Sequence, residues 1–564
     1  MEDNLHITPA RRVSDYILAA ICVAAGCVTT MMLIDCGMPG SDETYQTICV
    51  RDYLKSPLGL LIYWIGHWWT ELFGFTVLNL RILTSIEFIL ASAVTSCWLY
   101  LWTRDIRLSS ALFLLSCIML RAGAHYLYNW DTGTYLFDAV ALCLLMSVFS
   151  RPTSAKCLLL GAVIALMTLG RATSGIFLPV AATLVYIVVR KTGNHGHSAT
   201  AGLRMAAIIV IGWAVCILTL TTAICGSPAA YLDSFSEQTV VTGHNPVKDI
   251  HMLWGRLAEM TLMLPDKWFF GVMCIVLAAV LPAVTRRRNR ILILLPWLMI
   301  CLLTSYWHAR STPTISYRLG LDTPLGLGLL LAVPVYRLYD RRAKFSGLCG
   351  LRLWACGLAV VSYSFGSDAY FERMITAFTL PVIVGVLWDE NNQWVHGFTR
   401  STVIVSILSF GTLYYTHYMM ISRHFRAMAP SDMPVVGGLR DAQMTGMLQT
   451  VKDMNNVAQR LELDRKRFVY LGEYKKLQLI YGYDPGVPIH MYHYSWASKQ
   501  DWDTYKGRYA SGAEYVIYDR RIWYEDRESI LADVRAQGYT DSITYGEIVV
   551  LRRPETAPGV APAE

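Results

Sequence analysis

The sequence predicts a polytopic α-helical membrane protein that carries a small soluble α/β region at its C-terminal end. Three observations predict this class. Of 564 residues, 54% are hydrophobic and only 16% are charged, whereas soluble domains average about 25% charged residues. Mean hydropathy is +0.37, and apolar runs of membrane-spanning length recur along residues 1–420. Beyond about residue 421 the composition turns polar and strand and helix patterns alternate.

The expected spans are 16–35, 78–102, 108–121, 133–150, 157–170, 174–190, 205–224, 269–285, 291–307, 319–336, 349–365, 374–388 and 402–420, about thirteen transmembrane helices. Several fall short of the roughly 20 residues that a perpendicular crossing needs, so flanking residues complete them. The Arg11-Arg12 pair precedes the first span with no small-residue cleavage site, so that span stays as an anchor. Cations gather in alternate loops: Arg104/Arg107, Arg151/Lys156, Arg190/Lys191/Arg204, Arg286/Arg287/Arg288/Arg290 and Arg337/Arg341/Arg342/Lys344. The 389–400 loop is weaker, with Arg400 and His396. The positive-inside bias then puts the N-terminus in the cytoplasm, and an odd number of spans puts the C-terminus outside. The net charge of +7 is made of these loop cations, which argues against a nucleic-acid partner. Most of the 14 cysteines lie in apolar runs, where Cys acts as a small hydrophobe, and none has zinc-site spacing. Cys36 and Cys49 flank the first outer turn, and the sequence leaves open whether they pair.

The outer side carries the long segments. They are a first loop at 36–77, a second at 225–268, and the tail at 421–564. Long structured loops on one face mark that face as functional. In the tail, RFVYLGEY (467–474), AEYVIYDRR (513–521) and GEIVVLRR (546–553) read as strands. DAQMTGMLQTVKDMNNVAQRLEL and ESILADVRAQGY read as helices. No phosphate loop or nucleophile elbow occurs there, so the tail reads as a lid or docking module for the membrane part, residues 1–420.

Charged residues on the outer face supply the chemistry. The first loop begins with the adjacent acids Asp42 and Glu43, followed by Arg51, Asp52 and Lys55. In a helical continuation the later cations can return toward the acids. The following LLIYWIGHWWTELFGF is apolar and Trp-rich, as a helix lying at the membrane surface would be. In HYLYNWDTGTYLFDAVAL, Asp131 stands at the mouth of the fourth span and Asp138 about two turns deeper. An ionisable residue there is a functional candidate, although Asp131 also fits a helix N-cap. Arg171 sits at the outer hairpin between the fifth and sixth spans, and His308, Arg310, Tyr317 and Arg318 at another outer turn. Outer cations run against the positive-inside bias and suit an anionic headgroup, with anchoring to ordinary lipid as the plainer reading.

The run DETYQTICVRDYLKSPLGLLIYW resembles the first outer loop of GT-C membrane glycosyltransferases, of the lipid A aminoarabinose transferase and protein O-mannosyltransferase type. In that family an Asp-Glu pair precedes an Arg and then a Lys-x-Pro element, matched here by Asp42, Glu43, Arg51 and Lys55-Ser56-Pro57. NWDTGTYLFDAVALCLL resembles the second acidic site, which lands on Asp131, and Arg171-Ala172-Thr173 stands where the family often has Lys-Gly-Pro. Tyr45 replaces a basic residue common in the family, and the spacing from the acids to Lys55 is short.

The resemblance implies a GT-C-like catalytic membrane domain and an inverting transferase that uses a polyprenyl-phosphate sugar. It implies Asp42 as general base, Glu43 shaping the site or holding a metal, and Asp131 orienting acceptor or sugar. Lys55, Arg171 and Arg318 would hold the donor phosphate, with Tyr317 and His308 beside them. Some relatives use a divalent metal and others do not, so a metal cofactor is left open. The acceptor would be a lipid, glycan or protein, and the expected setting is a prokaryotic inner membrane with the active face outward. Besides a structural membrane subunit, which would leave the acids of DETYQ without a purpose, two rival readings stand. One is a ligase or polymerase acting on lipid-pyrophosphate oligosaccharide. The other is a lipid or solute transporter, although no repeat relates the two halves and the unusual charges lie at one face.

Overall fold

The computed structural model describes residues 9–37, 41–123, 128–192, 198–242, 347–364, 379–388, 429–433, 435–440, 447–463, 468–471, 513–520 and 527–554, with a few single positions besides. The expected spans 269–285, 291–307 and 319–336 lie outside the described residues, as do His308, Tyr317 and Arg318.

The membrane part is built from α1 (Pro9–Met31), α4 (Val77–Thr103), α5 (Ile106–Gly123), α6 (Trp130–Ser150), α7 (Ser154–Gly170), α8 (Phe177–Thr192), α9 (Ser198–Cys225), α11 (Gly347–Ser364) and α12 (Thr379–Trp388). Five apolar helical stretches among the described residues are long enough to cross a bilayer: Val13–Met31, Val77–Thr103, Trp130–Ser150, Ala172–Lys191 and Ala199–Cys225. The buried faces of the last four of these, with those of α5, α7, α11 and α12, merge into one core that runs from Phe88 and Leu99 through Leu142 and Met146 to Ile164, Val185 and Ile383. Small residues let backbones approach closely where lipid supplies no hydrophobic drive. A Cβ on Gly161 of α7 would stand 2.0 Å from the Ile209 carbonyl oxygen of α9, and one on Gly212 2.4 Å from that of Leu158.

Charges sort to the two ends of this bundle. At one end Arg107 pairs with Asp15, Lys156 donates to the carbonyls of Ser147 and Arg151, and Arg352 donates to Ser150. The first outer loop sits at the other end. It comprises α2 (Ser41–Arg51), two 3₁₀ turns (Tyr53–Lys55 and Pro57–Gly59) and α3 (Leu60–Phe73). Pro57 opens the second turn, where its missing N–H costs nothing. Tyr45, Ile48, Val50, Ile62 and Tyr63 bury against Val77, Leu80 and Leu83 of α4. Trp68, Leu72 and Phe73 remain exposed on α3, as a helix at an apolar interface requires. Helix α10 (Pro228–Thr242) adds Tyr231, which joins Leu60, Leu61 and Leu169 in a second cluster.

In the tail, α13 (Met447–Leu461) and α14 (Arg527–Ala536) accompany a sheet of order β1-β2-β4-β3. Its strands are β1 (Phe468–Leu471), β2 (Tyr515–Asp519), β3 (Asp541–Tyr545) and β4 (Ile548–Arg552), with β1 parallel to β2 and the other pairs antiparallel. Met454, Val457 and Ala458 of α13 pack on Phe468, Ile517 and Val550.

Candidate active site

The N-terminus of α6 meets the first loop at the same end of the bundle. Asn129 caps it: its side chain accepts from the Thr132 backbone N–H at 2.7 Å, and Thr132 Oγ1 accepts from the Asn129 N–H at 3.2 Å. The reciprocal pair satisfies two otherwise orphaned donors. The cap is therefore Asn129, and Asp131 is free of that duty. Asp131 lies in the first turn instead, where the helix dipole favours a carboxylate.

Asp131 faces Arg171 across the site, with Arg171 Nε 3.1 Å from Asp131 Oδ1. Arg171 ends α7 and starts the 3₁₀ turn Ala172–Ile176 into α8. Its side chain is 6% exposed and that of Asp131 is 18% exposed. The pair is largely withdrawn from water, and Asp131 Oδ1 itself is buried. Asp138 is buried on the same helix and within electrostatic reach of both residues. Its seven-residue separation from Asp131 is about two turns, or roughly 10 Å.

Three close approaches hold the first outer loop against this point. A Cβ on Gly133 would lie 2.4 Å from Ile62 Cγ2, and one on Gly170 3.2 Å from Ile62 Cγ1. Tyr128 Oη donates to the Ile62 carbonyl at 2.6 Å. Trp130 packs near Tyr45 of α2 (ring centroids 6.3 Å) and Tyr63 of α3 (6.4 Å). Tyr63 donates to Gln46 Oε1. Burial first, then the charges of nearby groups including Asp131, keeps the Tyr63 phenol protonated well above the usual range.

Asp42 and Glu43 open α2. The Glu43 carboxylate is held by Arg81 of α4, a residue the sequence reading did not single out. Arg81 Nε donates to Glu43 Oε1 and Nη2 to Oε2, both at 2.7 Å. Nη1 donates to the carbonyls of Ile34 (2.9 Å) and Cys36 (3.1 Å), and Nη2 also to that of Gly37 (3.1 Å). All five guanidinium N–H groups are thus engaged. Arg81 is 3% exposed. It ties the turn after α1 to the start of α2 and so fixes the backbone at Asp42.

Arg51 pairs with Asp52 at 3.1 Å, and Lys55 is exposed on its 3₁₀ turn. Cys36 and Cys49 are both thiols. Burial first raises each to about 12, with the Asp35 charge adding to Cys36. Among the described residues no three His, Cys, Asp or Glu side chains gather as a metal site. Glu43, the acid expected to shape the site or hold a metal, spends both carboxylate oxygens on Arg81.

The sequence matches no protein-family model and no curated protein. Solved structures do match. The chain superposes on archaeal oligosaccharyltransferase AglB from Archaeoglobus fulgidus, in complex with an inhibitory peptide and a dolichol-phosphate, with a TM-score of 0.50 at 10% identity. That match covers 97% of this chain and 75% of the other. ArnT from Cupriavidus metallidurans, bound to undecaprenyl phosphate, matches with a TM-score of 0.40 at 12% identity, covering 95% of this chain and 97% of that one. The likeness to the archaeal oligosaccharyltransferase is one of fold.

Proposed function

We propose that this chain is an integral membrane glycosyltransferase that moves a sugar from a polyprenyl-phosphate donor to a hydroxyl on a lipid, glycan or protein. The observation that carries the reading is the Asp131–Arg171 pair under the first outer loop, within a fold shared with a glycosyltransferase solved with a dolichol-phosphate.

In this reading Asp42, fixed at the start of α2, takes the proton from the acceptor hydroxyl as general base. The oxygen attacks the anomeric carbon from the face opposite the phosphate. The bond from that carbon to the phosphate oxygen breaks, its electron pair leaves with the polyprenyl phosphate, and the configuration inverts. Charge grows on the leaving phosphate, so cations set beside it beforehand lower the barrier. Arg171 and Lys55 are assigned that role, with Arg318, Tyr317 and His308 completing the group. Asp131 orients Arg171 through their ion pair and meets the acceptor or sugar with its exposed side. Glu43 acts as an anchor through Arg81.

The outer placement follows from the loop charges, with the first loop and tail outside and the N-terminus in the cytoplasm. A prokaryotic inner membrane is the setting proposed. A second reading, transfer of an oligosaccharide from a lipid pyrophosphate, draws support from the fold-sharing neighbour being an oligosaccharyltransferase.

The test is release of free polyprenyl phosphate by the purified protein. It would be offered a panel of polyprenyl-phosphate and polyprenyl-pyrophosphate sugars with membrane extract as acceptor. Release from a monophosphate donor, with sugar appearing on the acceptor, supports the first reading. Turnover of pyrophosphate donors alone supports the second. Movement of label across a vesicle membrane without cleavage would replace both with a transporter.

A further inference from the structure

The loop 429–440 is built as a clasp on the turn that Arg81 reads. It closes on itself: Ser431 N–H donates to the Leu439 carbonyl at 2.7 Å and Gly438 N–H to the Ser431 carbonyl at 2.8 Å. It is also stitched to the turn after α1. Arg440 and Cys36 form a parallel bridge. Arg440 N–H donates to the Asp35 carbonyl and Gly37 N–H to the Arg440 carbonyl, both at 2.7 Å. The Arg440 side chain adds Nε to Asp35 Oδ2 at 3.0 Å. A third stitch runs to α4, where Val77 N–H donates to the Val435 carbonyl at 2.8 Å. Met433, Val436 and Leu439 bury in the same cluster as Tyr45, Ile48 and Tyr63.

Two features mark this contact as specified by the sequence. Val435 has a φ of 66°, a left-handed backbone that a β-branched residue adopts only when its surroundings impose it. Gly37 has a φ of 85°, which glycine alone takes without strain. Carbonyls of the stitched turn (Ile34, Cys36 and Gly37) are the ones Arg81 holds while its other N–H groups hold Glu43. One connected path therefore leads from the start of the C-terminal tail through residues 34–37 and Arg81 to the first turn of α2.

We propose that Arg440 is a positioning residue, and that the 429–440 clasp sets the placement of Asp42 and couples the C-terminal tail to it. This deepens the transferase reading and rests on it. The stitches join the clasp to the turn before α2 and to the start of α4, not to the turn that carries Arg171, so loosening it acts first on the base. The expected signature is a fall in kcat at constant KM for the donor. A misplacement of an ångström or less costs about tenfold or more in rate.

The experiment uses Arg440→Cys in the full-length protein, read beside wild type. The bridge sets the new cysteine next to Cys36 within disulfide reach. Oxidation with copper phenanthroline should give a 36–440 linked peptide by mass spectrometry. Reduced Arg440→Cys should show kcat lowered about tenfold at unchanged donor KM, and the oxidised form should return to within about twofold of wild type. The charge exchange Asp35→Arg/Arg440→Asp should likewise recover what either single change loses. Failure to cross-link a protein of wild-type melting temperature overturns the clasp. Equal kcat in the reduced variant and wild type overturns its positioning role, as does a loss carried by KM alone. If wild type cleaves no donor, the transferase reading fails and the positioning role with it, while the cross-link alone still reports whether the clasp exists.

Discussion

Arg81 offers the sharpest energetic test of the site. Arg81→Leu keeps the buried aliphatic stem but removes five donated hydrogen bonds. It leaves the Glu43 carboxylate and three carbonyls without that donor. Removing one partner of a buried ion pair costs about 3–5 kcal/mol. Because the Glu43 side chain keeps 12% exposure, water recovers part of the loss and the low end, about 3 kcal/mol, applies. At about 1.4 kcal/mol per factor of ten, local opening of α2 from α4 becomes about a hundredfold more frequent. Amide hydrogen exchange over residues 43–50 in detergent reads that opening directly. Glu43→Leu alone strands the Arg81 guanidinium and should open α2 by a similar factor. Arg81→Leu/Glu43→Leu strands no charge and should cost clearly less than the sum, giving a coupling of about 2 kcal/mol. Additive single effects would refute the reasoning, because they would show that the two side chains do not depend on each other.

Three further outcomes follow. Asp131→Asn should lower kcat/KM for donor at least about a hundredfold, with Asp131→Glu recovering part of it, as single-turnover assays would read. Gly133→Val, whose Cβ would press on Ile62, should destabilise the α3–α6 contact by about 1–3 kcal/mol and lower the melting temperature. Cys36 and Cys49, raised to about 12, are ionised to about one part in ten thousand at pH 8, against about a quarter for an ordinary thiol near 8.5. In native protein both should resist iodoacetamide at pH 8, and rapid labelling of either would contradict their placement.

The helices of the membrane part were legible because an apolar run of about 20 residues has few other fates. The α2–α3 loop was legible for a related reason, since a Trp-rich apolar stretch next to clustered charge belongs at an interface. What escaped was pairing across the chain. Asp131 and Arg171 were each visible as misplaced charges, but only the α6–α7 packing sets them face to face. Arg81 was hidden inside the run LNLRILTSIEF and was passed over within the expected span 78–102; its signal was a cation in the second turn of a helix. Asn129 was not singled out, and the cap was offered only as an alternative role for Asp131, since both residue types are favoured there; Thr132 three residues after Asn129 was the available clue. Strand β3 was missed because DSITY is an edge strand with alternating half-buried residues and little apolar content. The clasp was illegible for a different reason: its contacts join residues about 400 positions apart, such as Asp35 and Arg440, and no periodicity records them.

The most direct test of the account is Asp42→Asn against wild type, both purified and matched for melting temperature, in transfer from the polyprenyl-phosphate sugar that wild type uses. Wild type is expected to transfer, while Asp42→Asn binds the same donor with unchanged affinity and turns it over at least about a hundredfold more slowly. Equal turnover by the two proteins would contradict it, because the base would then lie elsewhere and the start of α2 would be scaffold alone.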